Sequence, residues 1–195
     1  MFYPEKSFST IFATSVISSK HFMTKYFSLF LLILPALSIA QNSDEINWID
    51  IEKAEQLRLK EPKKVIIDVY TDWCGWCKKM DITTFHNPKI VEYINKNYYA
   101  VKMDGECKND IKLGGREFKF IYEGPRGYHE LPSELMQGKR TYPTLVFLDE
   151  NMNLIQPLPG YQSAKDLEPI LAYWAENAYK STSWEEFSIT FGERK

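Results

Sequence analysis

Cys74 and Cys77 stand two residues apart in the stretch Trp73-Cys74-Gly75-Trp76-Cys77-Lys78. Two thiols at that spacing can form and break a disulfide. In a first helical turn the sulfurs come within bonding reach, and the helix N-terminus favours a thiolate over a thiol at the first of them. The preceding run Val65-Ile66-Ile67-Asp68-Val69-Tyr70 reads as a buried strand, and Lys78-Lys79-Met80 can continue as a helix,. A dithiol at a strand-to-helix junction points to redox exchange.

Three other uses of such a pair compete: half of a zinc site, a structural disulfide, or chance. A structural zinc site takes four ligands, usually from a second C-x-x-C or a spaced histidine pair. Here one further cysteine, Cys107, and three scattered histidines, His21, His86 and His129, remain, so neither metal nor other cofactor is expected. Covalent haem attachment needs histidine directly after the second cysteine, where this chain has Lys78,. A disulfide that closes two residues restrains the unfolded chain very little and makes a poor staple.

At 195 residues, 44% apolar and 15% aromatic, the chain suits one packed domain with appendages,. A net charge of −2, with mixed signs along the sequence, gives no reason to expect nucleic acid or an acidic membrane surface as partner. The N-terminus reads as an address. Residues 27–34 are apolar apart from Ser28, follow Lys20 and Lys25, and lead to the small residues Ser38 and Ala40. That pattern predicts a secretory signal ending near Ala40, and the run, broken by Pro35, falls short of the ~20 residues of a membrane span. Met23-Thr24-Lys25 makes the better signal start, with a long n-region from Met1 as the alternative. The expected division is residues 1–40 as N-terminal extension and signal peptide, 41–180 as the domain, and 181–195 as a C-terminal tail. Export would place the cysteines where disulfides persist.

Holding the cysteine pair takes a set of elements that the periodicity supplies. Trp48, Ile51, Ala54 and Leu57, with Leu59 at the end, form the apolar face of a first helix closed by Glu61-Pro62,. Strand 65–70 and the cysteine helix to Thr84 follow. Asn87-Pro88 opens another helix, to Asn97, with a cap and a proline at its first position,. Residues 98–103 read as a second strand, 144–149 as a third, and 154–158 as a hairpin strand that Pro157 and Pro159 confine to an edge,. Ser163 and Asp166 start a last helix, whose stripe Leu167, Ile170, Leu171, Trp174 is core packing,. Between residues 105 and 139, Gly114-Gly115 and Gly124-Pro125-Arg126-Gly127 mark turns around a short extended piece at 118–122, and residues 130–137 read as a short helix closed by Gly138,. Trp184 and Phe187 are expected to dock the tail onto the domain. This order predicts an α/β fold, a central mixed sheet flanked by helices.

On these residues the chain resembles the thioredoxin superfamily, over roughly residues 46–179. Trp73-Cys74-Gly75-Trp76-Cys77-Lys78 looks like the active-site motif, Asp68 like the family's buried acid, and Lys102 like the lysine beside it. Tyr142-Pro143-Thr144 looks like the cis-proline turn, and Gly160 also fits. The Cys-Gly-Trp-Cys form is similar to that of secreted bacterial thioredoxin-like proteins, which implies a periplasmic location. The stretch between Asp104 and Pro143 is longer than thioredoxin's, an insertion just before the proline that faces substrate.

The resemblance implies a thiol–disulfide oxidoreductase acting on proteins with cysteines or disulfides. Cys74 would be the nucleophile and the more exposed sulfur, and Cys77 the resolving thiol. Asp68, its pKa raised by burial, would take the Cys77 proton, tuned by Lys102. Trp73, Gly75, Trp76, Tyr142 and Pro143 would bind the client, Tyr142 through its peptide groups as an added strand. Trp76 replaces the proline that in thioredoxin accompanies a couple near −270 mV, which implies a less negative potential, short of the −120 mV or so of strong oxidants. A reductase or isomerase is therefore expected, monomeric, and fed by a membrane thiol relay. The alternative is a binding or folding-assistance module without turnover. Cys107, among charges in Gly105-Glu106-Cys107-Lys108, is an unpaired thiol with no assigned role.

Overall fold

Six consecutive buried residues, Lys64 to Val69, make β2 (Lys64–Tyr70) a strand covered on both faces. In a computed structural model of the chain, which describes residues 44–193 apart from Pro125, this strand lies at the middle of the main sheet. The expected extension and signal peptide, residues 1–40, lie outside the described residues, as does His21.

β1 (Trp48–Ile49), β3 (Tyr98–Asp104), β8 (Thr144–Leu148) and β9 (Leu154–Pro159) complete a five-stranded sheet in the order β1-β3-β2-β8-β9. β1 and β2 run parallel to β3, while β8 runs antiparallel to both β2 and β9. The sheet is therefore mixed. The register sets Asp68 opposite Lys102 on β3 and opposite Leu145 on β8. β9 takes an outer position, where its prolines can sit without breaking a central ladder,.

Strand alternation divides the core. Ile66 packs with Met80, Phe85, Ile90, Ile94, Phe147 and Leu171 against α2 (Gly75–Thr83), α3 (Pro88–Asn97) and α5 (Ala164–Ala175). Val65, Ile67 and Val69 pack on the other face with Ile51, Ala54, Leu131 and Met136 from α1 (Ile51–Arg58) and the region of α4 (Glu130–Leu135). Asp68, in phase with Ile66, belongs to the face that carries the cysteine helix. The caps follow the sequence: Asn87 accepts from the Lys89 N–H at 3.1 Å, and Ser163 from the Asp166 N–H at 3.2 Å.

Four details differ from the sequence reading. Trp48, expected on the apolar face of the first helix, lies instead in the two-residue β1, too short to show a period. α1 ends at Arg58, and Leu59 is 74% exposed, off the apolar face. The extended piece at 118–122 is split between two small hairpins: β4 (Ile111–Leu113) with β5 (Arg116–Phe118), and β6 (Phe120–Ile121) with β7 (Tyr128–His129). The first turns through Gly114 and Gly115, whose φ of 60° and 76° suit glycine,. Beyond residue 181 the chain forms α6 (Trp184–Glu193), with Phe187 buried against Tyr173.

Candidate active site

β2 ends at Tyr70, and the turn after it delivers Cys74 to the N-cap of α2. The Cys74 N–H donates to the Thr71 carbonyl at 3.0 Å, and the Lys78 N–H to the Cys74 carbonyl at 3.2 Å. Cys74 and Cys77 form a disulfide, their Cα atoms 5.3 Å apart. The Cys77 N–H also donates to Cys74 Sγ at 3.1 Å, so the sulfur caps the helix. This arrangement holds a negative charge well once the bond is reduced, because the Cys77 N–H and the helix dipole both face the sulfur,. Cys74 retains 5% exposure and Cys77 2%. The order is the expected one, but with the disulfide closed both residues are buried.

Asp68 is 1% exposed and has its Oδ2 3.4 Å from Lys102 Nζ. Its Oδ1 has no hydrogen-bond partner among the described residues. Burial pushes the Asp68 carboxyl up to about 6, Lys102 pulls it back, and the nearby Asp81 carboxylate raises it further,. Lys102 also pairs with Asp81 on α2, which the sequence reading did not single out. Asp81 follows Cys77 by four residues, one helical turn on the same face, but only the contact with Lys102 sets it apart from any other acid on a partly exposed helix.

The Tyr142–Pro143 peptide is cis, and the Pro143 carbonyl accepts from the Gly160 N–H at 2.8 Å. Trp76, Tyr142, Pro143, Gly160 and Tyr161 line a groove of about 290 Å³ beside the disulfide-bearing helix. Trp73 and Trp76 are 50% and 57% exposed, a large apolar surface to leave in water,. Trp73 is held on several sides. Its Nε1 donates to Glu106 at 3.0 Å, the Tyr142 ring meets it edge-on at 5.8 Å, and the Arg126 guanidinium lies over it at 4.5 Å. Trp76 packs on Tyr161, and the Lys79 ammonium sits 4.6 Å over Trp76 and 5.1 Å over Tyr161. A Cβ on Gly75 would meet no atom within 4 Å, so the space above it is open.

All nine residues singled out from the sequence thus fall on α2, the strands under it, or the turn beside it. Glu106, Arg126 and Tyr161 were missed, because their roles depend on contacts between segments remote in sequence. Cys107 lies apart, half-buried beside a cavity of about 520 Å³ lined by α1 and β3 residues. His129 is buried in the insertion, where its Nδ1 accepts from the Leu131 N–H at 3.2 Å and caps α4. Among the described residues no group of three or more His, Cys, Asp or Glu side chains could hold a metal ion. No helix among them is long and apolar enough to cross a membrane.

Residues 51–175 match the family model of the thioredoxin-like domain, well over half of the chain. The thiol:disulfide interchange protein DsbD of Vibrio vulnificus is 32% identical over 68 residues, 32% of this chain and 11% of that protein. Protein disulfide-isomerase A3 of Gallus gallus is 26% identical over 135 residues, 65% of this chain and 25% of that one. The chain therefore spans between a tenth and a quarter of the length of these curated relatives. Among solved structures, a thioredoxin-fold protein from Helicobacter pylori superposes with a TM-score of 0.52 at 15% identity, covering 79% of this chain and 91% of that one. That likeness is one of fold.

Proposed function

We propose a function from the premise that this chain belongs to the thioredoxin-like family: it is an exported thiol–disulfide oxidoreductase that exchanges its Cys74–Cys77 pair with protein clients, as reductase or isomerase. The observation that carries the reading is the disulfide at the start of α2, with Cys74 Sγ accepting the Cys77 N–H.

In the reducing direction the Cys74 thiolate attacks a client disulfide. A Cys74–client S–S bond forms, and the second client sulfur leaves as a thiolate. Cys77 then gives its proton to Asp68 and attacks Cys74, which releases the first client sulfur. The client gains two electrons and the cysteine pair loses two, so each turn consumes one reduced enzyme. A carboxyl near 6 suits the proton step, being largely ionised at neutral pH yet far more basic than an exposed aspartate,. A membrane thiol relay, if the protein is exported as the pattern at residues 27–40 indicates, would return the electrons. The reducing preference is supported by Gly75 and by the lack of a histidine between the cysteines to favour the Cys74 thiolate further,. The groove along Pro143 and Tyr142 would take the client backbone as an added strand.

Insulin-disulfide reduction with dithiothreitol tests the activity: the wild type should precipitate insulin and Cys74→Ser should match the uncatalysed control. Equal rates for the two would leave the scaffold a binding module. Cys77→Ser should trap clients as mixed disulfides on Cys74, identifiable by mass spectrometry.

A further inference from the structure

Lys102 serves two carboxylates at once. Asp81, on the surface of α2, takes the close contact with its ammonium, and buried Asp68 keeps the longer one at 3.4 Å. Aromatic rings limit where that ammonium can go: the centroids of Trp48, Tyr70 and Phe85 lie 5.2, 5.3 and 5.8 Å from Nζ. Among the described residues Asp68 Oδ1 finds no hydrogen-bond partner. A buried carboxylate so poorly compensated favours its protonated form, whereas full use of Lys102 would favour the ionised one. The division of a single cation therefore decides how basic Asp68 is.

We propose that Asp81 is a positioning residue for the disulfide exchange, drawing Lys102 off Asp68 so that Asp68 can accept the Cys77 proton near neutral pH. This rests on the reading of Asp68 as the base of the resolving step. In that step the Cys77 S–H proton moves to the Asp68 carboxylate, and the Cys77 thiolate displaces the client sulfur from Cys74. Asp68 then loses the proton to solvent. With Asp81 neutral, Lys102 is free to pair fully with Asp68, and a like charge disappears as well. Both changes lower the pH at which Asp68 titrates. Among the described residues, the groups facing Asp68 are few. β3 contributes Lys102, α2 contributes Asp81, and β8 presents the neutral Leu145. Tyr70, on β2 itself, is a phenol whose own pKa is raised, by burial first and in small part by Asp68. His86 touches the Asp81 backbone oxygen at 2.6 Å rather than its carboxylate.

The test uses the full chain as wild type, Asp81→Asn, Asp81→Glu and Asp68→Asn. Carboxyl-carbon NMR of the oxidised protein, with the Asp68 signal assigned from its loss in Asp68→Asn, follows the titration without reference to activity. Asp68 should titrate near 6 in the wild type and in Asp81→Glu, and about one pH unit lower in Asp81→Asn. A preformed mixed disulfide of Cys74 with a chromogenic aryl thiol then gives the release rate by Cys77 against pH, and its inflection should move by the same amount. An Asp68 titration unmoved in Asp81→Asn overturns the proposal. A titration that moves while the rate profile stays put removes Asp68 from the exchange, and the role of Asp81 in it falls with the base reading. Asp81→Glu behaving like Asp81→Asn would also overturn it, since the carboxylate is then not what matters.

Discussion

A carboxylate at the centre of a covered sheet works against folding when it ionises, and Asp68 is in that position,. Its pKa is raised from 3.8 to about 6, so the stability it contributes is present below pH 4 and lost as the pH rises through 6,. Relative to Asp68→Asn, the oxidised wild type should lose about 2 to 3 kcal/mol between pH 4 and pH 8. Urea denaturation of both proteins across that range measures it, and parallel stability curves would contradict the assignment. Asp68 stood out in the sequence because a single acid interrupted an apolar strand six residues before Cys74. Cys74, Cys77, Pro143 and Lys102 were legible for the same kind of reason, each a distinctive residue at a set place in a short periodic element. Asp81 was not, because one acid on a partly exposed helix looks like any solvated side chain until Lys102 is seen to bridge it to Asp68.

At the scale of elements, the inserted stretch was the least legible part. Its strands are two or three residues long, below the length at which alternation can be detected, and their pairing depends on contacts across turns,. Its relation to the cysteines was also out of reach, since Glu106 and Arg126 meet Trp73 across gaps of more than thirty residues. The join between β3 and this insertion leaves little room. A Cβ on Gly105 would sit 2.4 Å from the Tyr142 hydroxyl and 2.7 Å from its ring. The backbone cannot retreat freely, because the Gly105 N–H donates to Tyr70 O at 2.8 Å and its carbonyl accepts from the His129 N–H at 2.9 Å. Gly105→Ala should cost about 1 to 3 kcal/mol. The penalty should largely vanish in a Tyr142→Ala background, so a double-mutant cycle by urea denaturation separates this clash from a general backbone effect.

For the whole molecule, the long elements were legible because runs of apolar residues and capping signals agree. The C-terminal segment was legible only as aromatic residues in need of cover. In the fold, Phe187 of α6 is 2% exposed and joins Tyr173, Trp184 and Phe191 in a cluster behind α5. Phe187→Ala should lower stability by about 3 kcal/mol yet leave insulin reduction per folded molecule unchanged, since the cluster does not include the residues around Cys74. A parallel loss of specific activity would show that the segment reaches further than its contacts. The two borders of the main sheet carry a different implication. One is β1, only two residues long, and the other is β9, where Pro157 and Pro159 remove two backbone donors. Among the described residues, neither border strand offers a long run of free backbone donors on which a neighbouring copy could extend the sheet,. Short or proline-bearing strands at these two places blunt the strand-by-strand stacking that leads to fibres.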